Sequence, residues 1–163
     1  MTQNPKVSMT QNPKAIRPTI LFAPVNQELP YFTPIRHYPG DAGFDLSASR
    51  QVSIDPKCWA NVPTNLRVAL PDGAWASIVG RSSTFFKRNL IVNTAIIDNG
   101  YRGELWASIY NPTDERVTVK RGERLIQLIL HHLMSSDMQE VAAKDFPAGD
   151  RGENGFGSTG GQG

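Results

Sequence analysis

Between Leu66 and Leu130 the chain is cut into short apolar segments with a period of two, each closed by a turn signal. This pattern limits the possible folds more than any other feature, because side chains alternate across a strand and a helix needs a different period. Leu66, Val68 and Leu70 alternate with polar or small partners, and Trp75, Ser77 and Val79 alternate with Ala74, Ala76 and Ile78. Leu105–Tyr110 reads as another strand, Val117–Val119 as a short one, and Leu125–Leu130 as a nearly all-apolar one. Pro39-Gly40, Pro71-Asp72-Gly73, Asn99-Gly100 and Arg121-Gly122 mark turns, and Pro63, Pro71 and Pro112 are among twelve prolines that punctuate the strands. The first strand is expected at Thr19–Phe22, with the β pattern running to about Phe146. One short helix is expected from Ser82 or Ser83 to about Asn89, with a serine as its N-cap. Strands do not alternate with helices and there is no Walker-type glycine–lysine motif, which argues against Rossmann and P-loop folds. The expected fold is all-β, a jelly-roll-like barrel or sandwich with one short helix.

A chain of 163 residues is most simply one domain. Its two ends differ from its middle. Met1–Lys6 recurs as Met9–Lys14, and this polar, proline-bearing duplicate makes residues 1–16 an expected disordered tail ahead of a β domain at 17–146. Residues 147–163 form a flexible, glycine-rich C-terminal tail, with seven of the fourteen glycines between Gly149 and Gly163. Glycine loses the most backbone freedom on ordering, so such a tail builds no core of its own. It can wrap a ligand. Backbone N–H groups, Ser158 and Thr159 can donate to phosphate oxygens, Arg151 adds a planar cation, and Phe156 offers a face for a base. Composition alone also fits a plain disordered terminus.

Net charge is +2 with 20% charged residues, too little for a general nucleic-acid binder, so direct nucleic-acid binding is not expected. Any phosphate chemistry must rest on a few placed cations. No apolar run approaches a membrane span and no secretory apolar region is evident, so no membrane role is expected. The expected location is the cytoplasm, or the cytosol or nucleus of a host cell if the chain is viral. Cys58 stands alone in a strand-like stretch, which removes internal disulfides and cysteine zinc sites and leaves a free thiol expected to be buried or half-buried.

Four internal segments can carry chemistry. Asp45, in Asp41-Ala42-Gly43-Phe44-Asp45-Leu46, lies between apolar residues, where a carboxylate must be paired or serve a metal. Gly80-Arg81-Ser82-Ser83-Thr84 combines a guanidinium, hydroxyls and a helix start, which suits phosphate. In Asn93–Glu104, Asn99-Gly100 is a hairpin signal expected to set Asp98 and Tyr101 on opposing strands, as a general base beside a sugar-stacking ring or simply as a polar turn with a packed tyrosine. Gln127 interrupts the apolar strand after Lys120-Arg121-Gly122-Glu123-Arg124, and a buried amide there bridges strands or faces a polar site. His131 and His132 follow, on opposite faces of a strand, a poor arrangement for a metal.

In this order, and with the tail Arg151-Gly152-Glu153-Asn154-Gly155-Phe156-Gly157-Ser158-Thr159-Gly160, the five segments resemble the five motifs of the trimeric deoxyuridine triphosphatase family over residues from about 40 to 160. The resemblance implies hydrolysis of dUTP to dUMP and pyrophosphate, which limits uracil incorporation into DNA and supplies dUMP for thymidylate synthesis. It implies Mg²⁺ as cofactor and a homotrimer whose sites are shared between subunits, with residues 147–163 closing over a neighbour's site. Asp98 then activates the water that attacks the α-phosphorus, Gln127 holds that water or a phosphate oxygen, and Ser82 donates to the α,β bridge. Arg81 and Ser83 bind phosphate. The backbone of Asn93, Ala95, Ile96, Ile97 and Asp98 reads uracil, and Tyr101 packs under the deoxyribose and excludes a 2′-hydroxyl. Asp45 holds water ligands of Mg²⁺. Phe156 stacks on the base, while Arg151, Gly157, Ser158 and Thr159 grip the outer phosphates.

Two positions depart from the family pattern. Ala95 stands where glycine is common, and Ile126 where a small residue is usual. The related dCTP deaminases share the arginine–serine–serine motif, yet Ser108 and Phe86 occupy the places of their glutamate and second arginine. A regulatory protein on the same fold would have less need of Asp98, Gln127, Ser82 and the whole tail.

Overall fold

The computed structural model describes residues 17–149. Among them are eleven strands and one α-helix: β1 (Leu21–Pro24), β2 (Gly43–Ser47), β3 (Val52–Ile54), β4 (Trp59–Pro63), β5 (Leu66–Ala69), β6 (Ala74–Gly80), α1 (Ser82–Arg88), β7 (Ile91–Val92), β8 (Ala95–Ile97), β9 (Trp106–Tyr110), β10 (Val117–Val119) and β11 (Arg124–His132). A 3-10 turn covers Ala143–Asp145. Up to Leu133 the chain is one compact unit, and residues from Met134 form a separate one. No helix among the described residues is long and apolar enough to cross a membrane.

The first unit is a jelly-roll-like sandwich of antiparallel strands. One sheet runs β2-β11-β6-β8 and another β4-β9-β7, with the pairs β1-β5 and β3-β10 beside them. Register fixes what each face carries. Leu128 lies opposite Ile78 and Phe44, and Ile126 lies opposite Leu46 and Gly80, and of these Leu46, Ile78, Ile126 and Leu128 turn together into the core. Leu46, Ile78, Ile97, Ile126 and Leu128 pack there with Val62, Leu66, Leu105, Ala107 and Ile109. The intervening residues form the other face. Gln127 opposes both Asp45 and Val79, so the two polar side chains of neighbouring strands share one level of the sheet.

Buried amides hold the loops. Asn111 is fully buried, and its Nδ2 donates to the carbonyls of Ile54, Asp55 and Glu115. Its Oδ1 accepts from the Thr113 amide and hydroxyl, so the whole amide is satisfied. Asn89 closes α1 in the left-handed region (φ 51°), with its N–H turned back to the Phe85 and Thr84 carbonyls.

Several expectations shift. The first strand begins at Leu21, where pairing with Ala69 starts, and the regular strands end at His132 rather than near Phe146. Arg81, not a serine, is the N-cap of α1; its backbone is extended and no side chain caps the helix. The Asn99-Gly100 turn does form, with the Tyr101 N–H donating to the Asp98 carbonyl at 3.0 Å, but it is not a hairpin. β8 pairs with β6 in one sheet, whereas β9 pairs with β4 and β7 in the other. Asn99 Nδ2 donates to the carbonyls of Pro71 (2.7 Å) and Ala74 (3.0 Å), which ties the turn to the start of β6. The Leu105 N–H then bonds the Leu66 carbonyl at 2.8 Å and carries the chain across to the second sheet. Cys58 is exposed rather than buried, just past a turn and ahead of β4.

Candidate active site

A cavity of about 240 Å³ opens where β2, β11 and the start of α1 meet, walled by His37, Asp41, Asp45, Arg81, Ser82 and Gln127. Three segments distant in sequence thus bring their polar side chains together. The segment before β2 forms one wall through reciprocal backbone bonds: the Asp45 N–H to the Ile35 carbonyl at 2.7 Å, and the Ile35 N–H to the Asp45 carbonyl at 3.1 Å.

Asp45 is 8% exposed, and ionic partners make that burial tolerable. Arg81 Nε pairs with its Oδ1 at 2.9 Å, while Arg81 Nη1 donates to the Arg124 carbonyl at 3.0 Å. Arg124 Nη1 lies 3.7 Å from Oδ2, beyond a good hydrogen bond, and His37 Nε2 lies 3.5 Å from it. Among the described residues, Oδ2 is buried without a hydrogen-bond partner. Gln127 Nε2 donates a long bond to the Gly80 carbonyl of β6 at 3.4 Å, and the amide also lines the cavity, so it both bridges strands and faces a polar site. Gly43 makes room for it, because a Cβ there would lie 2.6 Å from Gln127 Oε1.

Ser82 is exposed at the cavity and Ser83 is half-buried in the same helical turn. The helix is anchored beneath them: Thr84 Oγ1 donates to the Leu125 carbonyl at 2.5 Å, and the Arg81 N–H reaches the same carbonyl at 3.0 Å.

The remaining described candidates lie elsewhere on the sheet. Asn93 is exposed, with its N–H on the Ser108 carbonyl at 2.9 Å. Ala95, Ile96 and Ile97 form β8, half-buried, exposed and buried in turn. Because β8 is an edge strand, part of its backbone N–H and C=O groups point away from β6 without a ladder partner. Asp98 is exposed just beyond it, and its carboxylate enters no ion pair or hydrogen bond among the described residues. Tyr101 is 43% exposed, and its Oη donates to the Glu104 carbonyl at 3.0 Å. The phenol end of its ring lies against Gly103 so closely that a Cβ there would collide with it.

Asp98 does not line the cavity, and the register says why. Gln127 opposes Val79, whereas Ile97 opposes Ala76 on the other side of β6. Asp98 comes one residue further along, so its backbone lies about 13 Å along the strands and about 10 Å across them from Gln127, roughly 16 Å in all. Two side chains of this size cannot both reach one water across that span. Arg151, Phe156, Gly157, Ser158 and Thr159, with the duplicated residues 1–16, lie outside the described residues.

His131 stacks on Trp75 at 4.1 Å and bonds Ser77 Oγ at 2.8 Å, while His132 is exposed. Among the described residues, no group of three or more His, Cys, Asp or Glu side chains could hold a metal directly. Asp41 and Asp45 are the carboxylates that line the cavity, hard oxygen donors of the kind that suits water ligands of a divalent cation. His37, Arg124 and the steric need for Gly43 had no signal of their own in the sequence. They act on Asp45 and Gln127 only once β2, β11 and the preceding loop are assembled.

The dUTPase family model matches residues 31–160. A deoxyuridine 5'-triphosphate nucleotidohydrolase of Avian adenovirus 8 is 39% identical over 79% of this chain and 78% of its own length. The enzyme of the same description from Paramecium bursaria Chlorella virus 1 is 37% identical over 78% of this chain and 89% of its own. Among solved structures, a mutant dUTPase of Staphylococcus bacteriophage 80alpha with dUpNHpp superposes with a TM-score of 0.78 at 25% identity, covering 87% of this chain and 98% of that one.

Proposed function

This chain belongs to the dUTPase family and hydrolyses dUTP to dUMP, and from that premise we propose that it does so by attack of an Asp98-activated water on the α-phosphorus, with Mg²⁺ as cofactor. The observation that carries this reading is the cavity that gathers Asp45, Arg81, Ser82 and Gln127 from three separate segments. Arg81, Ser82 and Ser83 supply a guanidinium and hydroxyl donors to phosphate oxygens, and Ser82 donates at the α,β bridge, where charge develops as the P–O bond breaks. Gln127 holds the water or an α-phosphate oxygen. Asp98, exposed and without a protein partner, orients the water and takes its proton. Tyr101, an exposed ring, packs under the deoxyribose and leaves no room for a 2′-hydroxyl. The free edge of β8, with Asn93, Ala95, Ile96 and Ile97, reads the edge of uracil. Asp45 would hold Mg²⁺ through its bound water, and the ion would neutralise charge on the leaving pyrophosphate.

The gap between Asp98 and Gln127 supports a site shared between subunits, in which Asp98 and Tyr101 of one copy face the cavity of another. A homotrimer with residues 147–163 closing over a neighbour's site completes it. Arg151, Gly157, Ser158 and Thr159 grip the outer phosphates and Phe156 stacks on the base. The removal of dUTP limits uracil incorporation into DNA and the product dUMP feeds thymidylate synthesis, in the cytoplasm or in the cytosol or nucleus of a host cell.

Chromatographic product analysis of dUTP, dCTP, dTTP and UTP with Mg²⁺ tests the reading. Turnover of dUTP alone to dUMP and pyrophosphate is expected. Conversion of dCTP, or equal turnover of UTP, would overturn the base or sugar assignment. Gly43→Ala is expected to lower kcat on dUTP by about 10-fold or more with an unchanged melting temperature, because the added methyl displaces Gln127 and small misplacements are costly at a reacting centre. A parent-like kcat would remove Gln127 from the mechanism.

A further inference from the structure

Glycine at position 103 is required by a side chain, not by the backbone. Among the described glycines only Gly73 and Gly122 adopt a positive φ, so an L-residue could take the conformation of Gly103. What a Cβ there would meet is the phenol end of Tyr101: it would lie 2.6 Å from Cζ and 3.0 Å from Cε2, and against Oη as well. The same ring end donates from Oη to the Glu104 carbonyl at 3.0 Å. That carbonyl belongs to a peptide tied at its other end, because the Leu105 N–H bonds the Leu66 carbonyl of β5 at 2.8 Å. Glu104 Oε1 also accepts from the Asn65 N–H at 2.7 Å. Arg102 Nη1 donates to the carbonyls of Asn99 and Tyr101 at 2.7 and 2.8 Å, which braces the turn that carries the ring. Tyr101 is thus exposed in its ring and held at both its tip and its backbone.

We propose that Gly103 is a positioning residue for sugar selection: it forms the notch that seats the Tyr101 ring and makes that ring a fixed wall against a 2′-hydroxyl. The inference rests on the reading of Tyr101 as the ring under the deoxyribose. A ribonucleotide adds one oxygen atom there, and an added atom is costly only where the packed surface cannot shift. An exposed tyrosine on an unbraced turn would yield by a small rotation. The notch at Gly103 and the bond to Glu104 remove that freedom. A methyl at position 103 forces the ring end to move by about 1 Å to restore ordinary carbon contact, which misaligns the Oη bond and releases the ring. Gly103 touches no reacting atom and acts through Tyr101.

The test is the ratio of kcat/KM for dUTP to that for UTP, measured on the full chain with Mg²⁺. Gly103→Ala is expected to lower this ratio by about tenfold or more, and Tyr101→Ala to lower it at least as far. In the Tyr101→Ala background the space beside Gly103 is open, so adding Gly103→Ala should change the ratio and kcat by less than about twofold. A parent-like ratio in Gly103→Ala would overturn the proposal. So would a further loss of kcat in the double variant, which would place the effect in the backbone of the Asp98 turn instead of the ring. Tyr101→Ala separates the proposal from the reading beneath it. If Tyr101→Ala lowers the ratio and Gly103→Ala does not, the role of Gly103 falls alone. If Tyr101→Ala also discriminates as the parent does, the assignment of Tyr101 falls with it. Gly103→Ala should melt within a few degrees of the parent, since only an exposed ring has to move; a large drop would mean that the backbone gives way and would also overturn the proposal.

Discussion

Asp98→Asn is expected to bind dUTP about as tightly as the parent and to lose on the order of 10³-fold in kcat, the usual scale for removing a general base. The substitution keeps size and shape and deletes only the ability to take a proton. It should be structurally silent, because Asp98 is exposed and its carboxylate makes no hydrogen bond or ion pair among the described residues. Its backbone carbonyl, which closes the turn onto the Tyr101 N–H, is untouched. Calorimetric titration with dUpNHpp and steady-state turnover of dUTP separate the two effects. Parent-like kcat would sink the assigned mechanism. A matching loss of binding would recast Asp98 as a substrate contact.

Removing residues 150–163 is expected to lower kcat/KM for dUTP by at least about 100-fold, since a closing segment contributes both orientation and exclusion of bulk water. The same truncation should leave the fold intact. Among the described residues, every buried residue of the apolar core lies between Leu46 and Leu128, and no strand ends later than His132. Circular dichroism and sedimentation should therefore superimpose on the parent while turnover collapses. Full activity of the shortened chain would end the role of Arg151, Phe156 and Ser158 as closing residues.

Much of the strand content was legible in the sequence because burial imposes period two. Leu66, Val68 and Leu70, and the β6 pattern around Ile78, reappear as inward-facing positions. The all-β class, the single short helix and the run of motif residues in chain order needed nothing more. The Asn99-Gly100 turn was legible as a turn and misleading as a hairpin. Turn chemistry is local, whereas the partner of each flanking strand was decided by Asn99 bonding to Pro71 and Ala74 and by Leu105 bonding to Leu66, contacts about 25 to 40 residues away in sequence. The helix cap failed for a related reason. Arg81 occupies the cap position, and its guanidinium is committed to Asp45, thirty-six residues earlier.

The residue types fixed by the sequence, namely a carboxylate at 45, a guanidinium at 81, hydroxyls at 82 and 83 and an amide at 127, determined what chemistry the chain can support. Whether they meet was decided by tertiary structure, because register alone sets Gln127 level with Asp45 and leaves Asp98 on the far side of β6. The surroundings of Asp45 Oδ2 belong wholly to that level. They depend on where His37 and Arg124 come to rest, and no spacing along a chain encodes which of two acceptors a guanidinium will reach.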